Sequence, residues 1–197
     1  MAPKSSQLSE TRTRLLQAAE ELTTLHGPAR LSLDAVAAQA GVSKGGLLYH
    51  FPSKNHLLRG MVQAHVDLMR SEMAARVPGG LRGTATAQEK ALAYLRLMRD
   101  LLLRKNGAPT GLLAAILEDA DMVAALDEFR REVEQAFVGS ATDSRKTRLI
   151  YLALEGINFG CIARPIETDR AHYLDALEDL EQVLLACDCP CGPAAAG

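Results

Sequence analysis

Residues 31–58 read LSLDAVAAQAGVSKGGLLYHFPSKNHLL, and three serines divide them. Ser32 precedes Leu33, Val36, Ala37 and Ala40, an apolar face at three- and four-residue steps that Gly41 ends. Ser43 opens a second short helix that must stop before Pro52, and Ser53 opens a third. Two short helices joined by a glycine turn and resting on a longer one form a helix-turn-helix, with one brace and one reader narrow enough for the major groove. Gly41 is the turn, because only a residue without Cβ readily takes the backbone that swings Ser43 to Tyr49 across the Val36 and Ala37 face. Helix N-termini at Ser43 and Ser53 offer N–H groups suited to phosphate oxygens.

Upstream, Leu15, Ala18, Ala19, Leu22 and Leu25 recur at helical spacing behind a possible cap at Ser9, and Gly27-Pro28 ends the run. Downstream, Leu58, Met61, Val62, His65, Leu68 and Met69 give the fourth helix an inward face that reaches Pro78-Gly79-Gly80. Residues 78–83 read as a flexible joint. Further helices are expected at about 85–105, 109–119, 121–138, 142–164 and 168–187, and no segment alternates with the two-residue period of a strand. The expected fold class is all-α. Its organisation is a disordered arm at 1–10, a helix-turn-helix domain at 11–54, a larger helical domain at 55–188 and a flexible tail at 189–197.

Composition agrees. Hydrophobic residues make up 48%, charged residues 23% and aromatics 4%, with no Trp, which suits a helical globular chain. No apolar run reaches the roughly 20 residues of a membrane span, and the polar opening lacks the apolar stretch of a signal peptide, so a cytoplasmic protein with no membrane partner is expected. Residues 1–70 carry 8 Lys and Arg against 5 Asp and Glu, while residues 71–197 carry 14 against 19. The basic end is therefore the one suited to a polyanion. Cys187, Cys189 and Cys191 crowd a Pro/Gly/Ala tail without a rigid frame, which argues for incidental thiols over a metal site, and no cofactor motif is present. His65 and Glu155 lack the nucleophile, phosphate loop or His cluster that an enzyme would need.

Taken singly, Lys44 and Lys54 could be solvated charges, and Tyr49, His50 and Phe51 an aromatic core plug. As an ordered set, the stretch resembles the TetR family of transcription regulators across residues 11–60. The resemblance lies in a small-residue second helix ending Ala-Gly-Val-Ser, a Lys-Gly-x-Leu reader leading to Phe51, and Ser-Lys before an aliphatic pair. It implies an all-α homodimer bound to double-stranded operator DNA. It also implies DNA contacts at Ser32, Ser43, Lys44, Tyr49, His50 and Lys54, with Leu47 and Phe51 anchoring the reader. Gly46 stands where the family often has Thr, Ser or Asn, and Leu48 where it usually has Tyr. Base reading would then rest on Lys44 and on close approach of the Gly45 and Gly46 backbone, with DNA shape supplying part of the specificity.

The C-terminal half carries no motif of its own. The helix at 142–164 is apolar on nearly all sides, with Leu149, Leu152, Ala153, Ile157 and Ile162, so it must be covered on all sides. The family resemblance implies that the last two helices pair with their twofold mates, through Leu152, Gly156, Gly160, Tyr173, Leu177, Leu180 and Leu184. The other reading is that both pack within one subunit. A mostly apolar effector pocket is expected from Met61, His65, Met69, Met98, Leu102, Leu113, Ile116, Phe129 and Phe159, with Glu155 and Asn158 as its polar groups. Plain core is the alternative for the Met and Phe residues. The functional expectation is a repressor released by a small mostly apolar effector; an activator or a ligand-free regulator of the same fold is the alternative.

Overall fold

The computed structural model describes residues 4–26, 30–104, 120–138, 144–163 and 166–186. Among them the chain forms α1 (Lys4–His26), α2 (Leu33–Ala40), α3 (Lys44–His50), α4 (Lys54–Arg76), α5 (Ala87–Leu103), α6 (Ala120–Val138), α7 (Ser144–Ala163) and α8 (Ile166–Leu185), with a 3-10 turn at Gly80–Arg82 and no strand. The helix expected at 109–119 and the tail cysteines fall outside the described residues.

Local chemistry sets the helix ends. The Oγ atoms of Ser32, Ser43 and Ser53 accept hydrogen bonds from the backbone N–H groups of Ala35 (3.2 Å), Gly46 (3.1 Å) and His56 (3.3 Å). Each such cap stabilises its helix by about 1 kcal/mol. Gly41 closes α2 at φ 63°, where the left-handed backbone turns its own N–H onto Ala38 and that of Val42 onto the Ala37 carbonyl at 2.9 Å. Thr86 and Glu89 form a capping box at the start of α5.

Two apolar cores result. Leu15, Ala18 and Ala19 of α1, Val36 and Ala37 of α2, Leu47 of α3 and Phe51 enclose the first, together with Leu57, Leu58, Met61 and Val62 from the start of α4. Val66, Met69 and Met73, further along α4, join α5 to α8 in the second. One helix thus belongs to both cores, and the division falls between Val62 and Val66. A domain boundary at residue 54 was expected; the continuous helix carries the first core two turns beyond it.

Three other expectations are corrected. Residues 4–10, expected as a disordered arm, are the opening turns of α1, and Ser9 lies inside that helix, its carbonyl accepting the Thr13 hydroxyl at 3.0 Å. Leu25 and Leu68, placed on inward faces by spacing, are exposed. The 78–83 segment is a built turn: Gly79 and Gly80 take φ 74° and 61°, Leu81 is buried, and Gly80 donates to the Val77 carbonyl at 2.9 Å.

Gly83 closes that turn. A Cβ there would run into the Pro78 carbonyl oxygen and stand 2.9 Å from Gly79 Cα. The obstruction is backbone, which no rotamer change relieves. Gly83→Ala is expected to cost about 2 kcal/mol, a fall in Tm of roughly 4–8 °C for a chain of this size. Thermal unfolding followed by circular dichroism measures it, and an unchanged Tm would show that the turn yields.

Candidate nucleic-acid interface

Leu47 and Phe51 are buried and fix α3 from below. Phe51 owes its seat to Gly60 of α4, where a Cβ would lie 2.6 Å from the ring, and the Arg12 guanidinium of α1 stands 5.3 Å from the ring centroid. The reader is thus clamped between the first and fourth helices. Its outer face stays open: Tyr49 is 72% exposed, and Leu48 and Lys44 are exposed beside it. His50 meets Tyr49 edge to face at 5.3 Å.

Ser32, Ser43, Lys44, Gly45, Gly46, Tyr49, His50 and Lys54, expected to touch DNA, lie together on α3 and on the N-terminal ends of α2 and α4. Several of them have work to do already. Ser32 and Ser43 spend an oxygen lone pair on their own helix caps, which leaves each hydroxyl proton free to donate to a phosphate. Lys44 reaches back to Asp34 of α2 at 2.9 Å. Spacing along α3 hid that partner, which lies one helix away. Between two exposed side chains such a pair is weak, so a phosphate can displace the carboxylate.

Gly46 and Gly45 differ. A Cβ on Gly45 would meet nothing within 4 Å, whereas one on Gly46 would lie 2.9 Å from Val42 Cγ1 and 3.3 Å from Ser43 Oγ. A larger residue at 46 therefore requires Val42 to move. The glycine pair leaves bare backbone at the start of α3.

The residues expected to line an effector pocket are divided by the structure. Met69, Met98, Leu102 and Phe129 are buried together in the second core. Met61 belongs to the first core, and Phe159 is 69% exposed, so neither lines a pocket in the second. Leu113 and Ile116 lie outside the described residues. Asn158 is hydrogen-bonded to Tyr94, whose buried hydroxyl is pushed far above its ordinary pKa by desolvation. Glu155, expected as a polar group of the pocket, is ion-paired with Arg130, which compensates its charge. His65 lies on α4 between the two cores, and burial pushes its pKa down to about 4.

The expected pairing residues also separate. Leu177 and Leu184 are fully packed inside the subunit, and Tyr173 and Leu180 lean on the same core. Gly160 is thin for the sake of Tyr173, whose Cζ would lie 3.0 Å from an added Cβ. These five serve the subunit's own packing. Leu152 and Gly156 face outward, in line with Leu149 and Phe159 at three- and four-residue steps along α7. That helix, expected to be covered on all sides, leaves this stripe uncovered in the single chain. Cys161, by contrast, is buried, and desolvation pushes its thiol up to about 11, well away from a reactive thiolate.

Residues 15–61 match the family described as bacterial regulatory proteins, tetR family, and residues 88–184 match the tetracyclin repressor-like C-terminal domain. The chain is 36% identical over 59 residues to the nucleoid occlusion factor SlmA of Marinomonas sp., covering 30% of each protein. It is 33% identical over 93 residues to the HTH-type transcriptional activator FasR of Mycolicibacterium smegmatis, covering 47% of this chain and 41% of that one. The matched part therefore spans less than half the length of these relatives. Among solved structures, E. coli NemR in its reduced form superposes with a TM-score of 0.66 at 19% identity, covering 89% of this chain and 95% of that one. SCO4454, a TetR-family transcriptional regulator from Streptomyces coelicolor, does so at 0.63 and 21%, covering 89% and 96%. Among the described residues no helix is long and apolar enough to cross a membrane. The serine-capped reader, the two cores joined by α4 and both matched segments lead to one assignment: the chain belongs to the TetR family of transcription regulators, DNA-binding proteins and not enzymes.

Proposed function

We propose that this chain acts in the cytoplasm as a repressor, binding a palindromic operator as a homodimer and leaving it when a small, mostly apolar effector binds the C-terminal domain. The observation that carries the DNA reading is the open face of α3, with Lys44 and Tyr49 exposed on a helix that Leu47 and Phe51 anchor from below. The apolar stripe on α7 supports the homodimer, and two readers related by a twofold axis call for a palindrome with half-sites about one helical turn apart. The methionines Met69, Met73 and Met98, buried in the same core as Tyr94, support the effector, since flexible thioethers repack around an apolar guest more readily than branched side chains. Repression asks only that the protein occupy its site.

Lys44→Ala is the test. Each subunit would lose one phosphate neutralisation and its released counterion, so the salt dependence of operator affinity should fall by about one unit in slope per subunit. Gel shifts on a palindromic fragment across a salt series measure it, with dimerisation followed in parallel. Equal affinity for wild type and variant at every salt concentration would remove Lys44 from the interface. A reporter placed behind the same operator gives the direction: expression that rises when the protein is removed marks repression.

A further inference from the structure

Arg12 is an arginine of α1 held at the far end of the reader helix. Its guanidinium stands 5.3 Å from the centroid of the Phe51 ring, and Phe51 is the residue that caps the end of α3. The ring is buried and seated against Gly60 of α4, so it is a fixed platform, while the arginine itself is exposed. A cation over an aromatic ring is held through its charge. That leaves the five N–H donors of the guanidinium fork for another acceptor.

The sequence around this contact is poor in carboxylates. On α1 the residues three and four places from Arg12 are Leu8, Ser9, Leu15 and Leu16, whereas Arg14 has Glu10 four places behind it. From Phe51 to Val66 the chain carries Lys54 and Arg59 and no Asp or Glu. Ser53, two residues beyond Phe51, caps α4, whose first N–H groups add to the same positive field. The joint between α3 and α4 is thus a basic edge beside the open face of the reader, and Arg12 brings a cation to it from a third helix.

We propose that Arg12 is a further DNA contact, a phosphate clamp that Phe51 aims at the duplex backbone beside the phosphate taken by Lys54. The proposal rests on the DNA reading of α3, and it adds a residue from outside both the reader and the family segment at 15–61. With Lys44 at the opening of α3 and Arg12 at its close, each end of the reader is pinned to the backbone by one cation. Phosphate contacts of this kind set the position and tilt of a helix in the groove and carry no sequence information themselves.

Fluorescence anisotropy of the full chain, on a duplex that the wild type selects from a random library and across a potassium chloride series, tests it. Arg12→Gln is expected to weaken binding roughly tenfold at low salt and to lower the salt slope by about one per subunit. Arg12→Met, which keeps an apolar contact with the ring, gives the same reading if the glutamine variant unfolds. Arg12→Lys keeps the charge and should keep the slope. Arg14→Gln, at an exposed site of α1, should keep both slope and affinity. Thermal melts run alongside, since loss of the Phe51 contact alone would lower the Tm and leave the slope where it was. The proposal is overturned by a wild-type slope in the folded Arg12→Gln or Arg12→Met protein, whatever its affinity, or by an equal loss of slope in Arg12→Lys or in Arg14→Gln. A wild type that selects no duplex overturns the DNA reading and this proposal together, which distinguishes that failure from the failure of Arg12 alone.

Discussion

Leu152→Glu is expected to turn the dimer into monomers and to weaken operator binding at least a hundredfold. Leu152 is 58% exposed in the single chain, at the middle of the stripe formed by Leu149, Gly156 and Phe159. A twofold axis passing near it would bring the stripe of one subunit against that of its partner, with Gly156 allowing the two helices to come close, since nothing lies within 4 Å of it in the subunit. A glutamate there would be buried beside its own symmetry mate. Burying an uncompensated charge costs about 3–5 kcal/mol, which is a hundredfold or more in the dimer constant. A lone subunit then reads one half-site only. Because the residue touches solvent in the single chain, the subunit should still fold. Sedimentation measures the association state, and an intact dimer for both Leu152→Glu and Phe159→Glu would put the interface elsewhere. Leu177→Glu, by contrast, should unfold the subunit, because Leu177 lies in the second core.

That contrast shows what spacing along a helix can and cannot tell. The periodicity of α8 marks Leu177 and Leu184 as buried, and they are, but it does not say whether the cover comes from the same subunit or from a partner. For α7, apolar on nearly all sides, the surplus of apolar faces over neighbours within the chain is what supports the proposed partner. The five mismatches, Leu177, Leu184, Tyr173, Leu180 and Gly160, come from treating both helices as equally outward when α8 fills the groove beside α5.

The N-terminal third was far more legible, because α2, α3 and α4 are each opened by a serine, and α2 and α3 are stopped by a glycine or a proline within a few residues. Local chemistry of that kind does not depend on the rest of the fold. The domain boundary was less so: nothing in the spacing of Leu58, Met61, Val62 and Met69 tells that one continuous face serves two cores. Asp34 as the holder of Lys44 could not have been found, since that pair depends on the angle that Gly41 imposes between α2 and α3.

His65 should make the protein acid-sensitive in a defined window. Its imidazole, on α4 at the seam between the cores, is held neutral by burial, with a pKa pushed down to about 4 from the ordinary 6.5. In the unfolded chain the ring takes up a proton as pH falls through 6.5, while the folded protein refuses it until about 4. The stability that the neutral ring allows is therefore complete above 6.5 and is lost progressively between 6.5 and 4. By pH 5 the loss should be about 2 kcal/mol per subunit, rising to about 3 at full protonation. Glu20 works in the opposite sense, since burial raises its carboxyl pKa, and Glu72, held down by Arg104 and Arg76, gives up its stabilisation only at lower pH. His65→Gln separates them. Urea unfolding at pH 7 and pH 5 should show the wild type losing about 2 kcal/mol more than the variant between the two conditions. Equal losses in both proteins would mean that the imidazole is solvated and that the seam between the cores is open at His65.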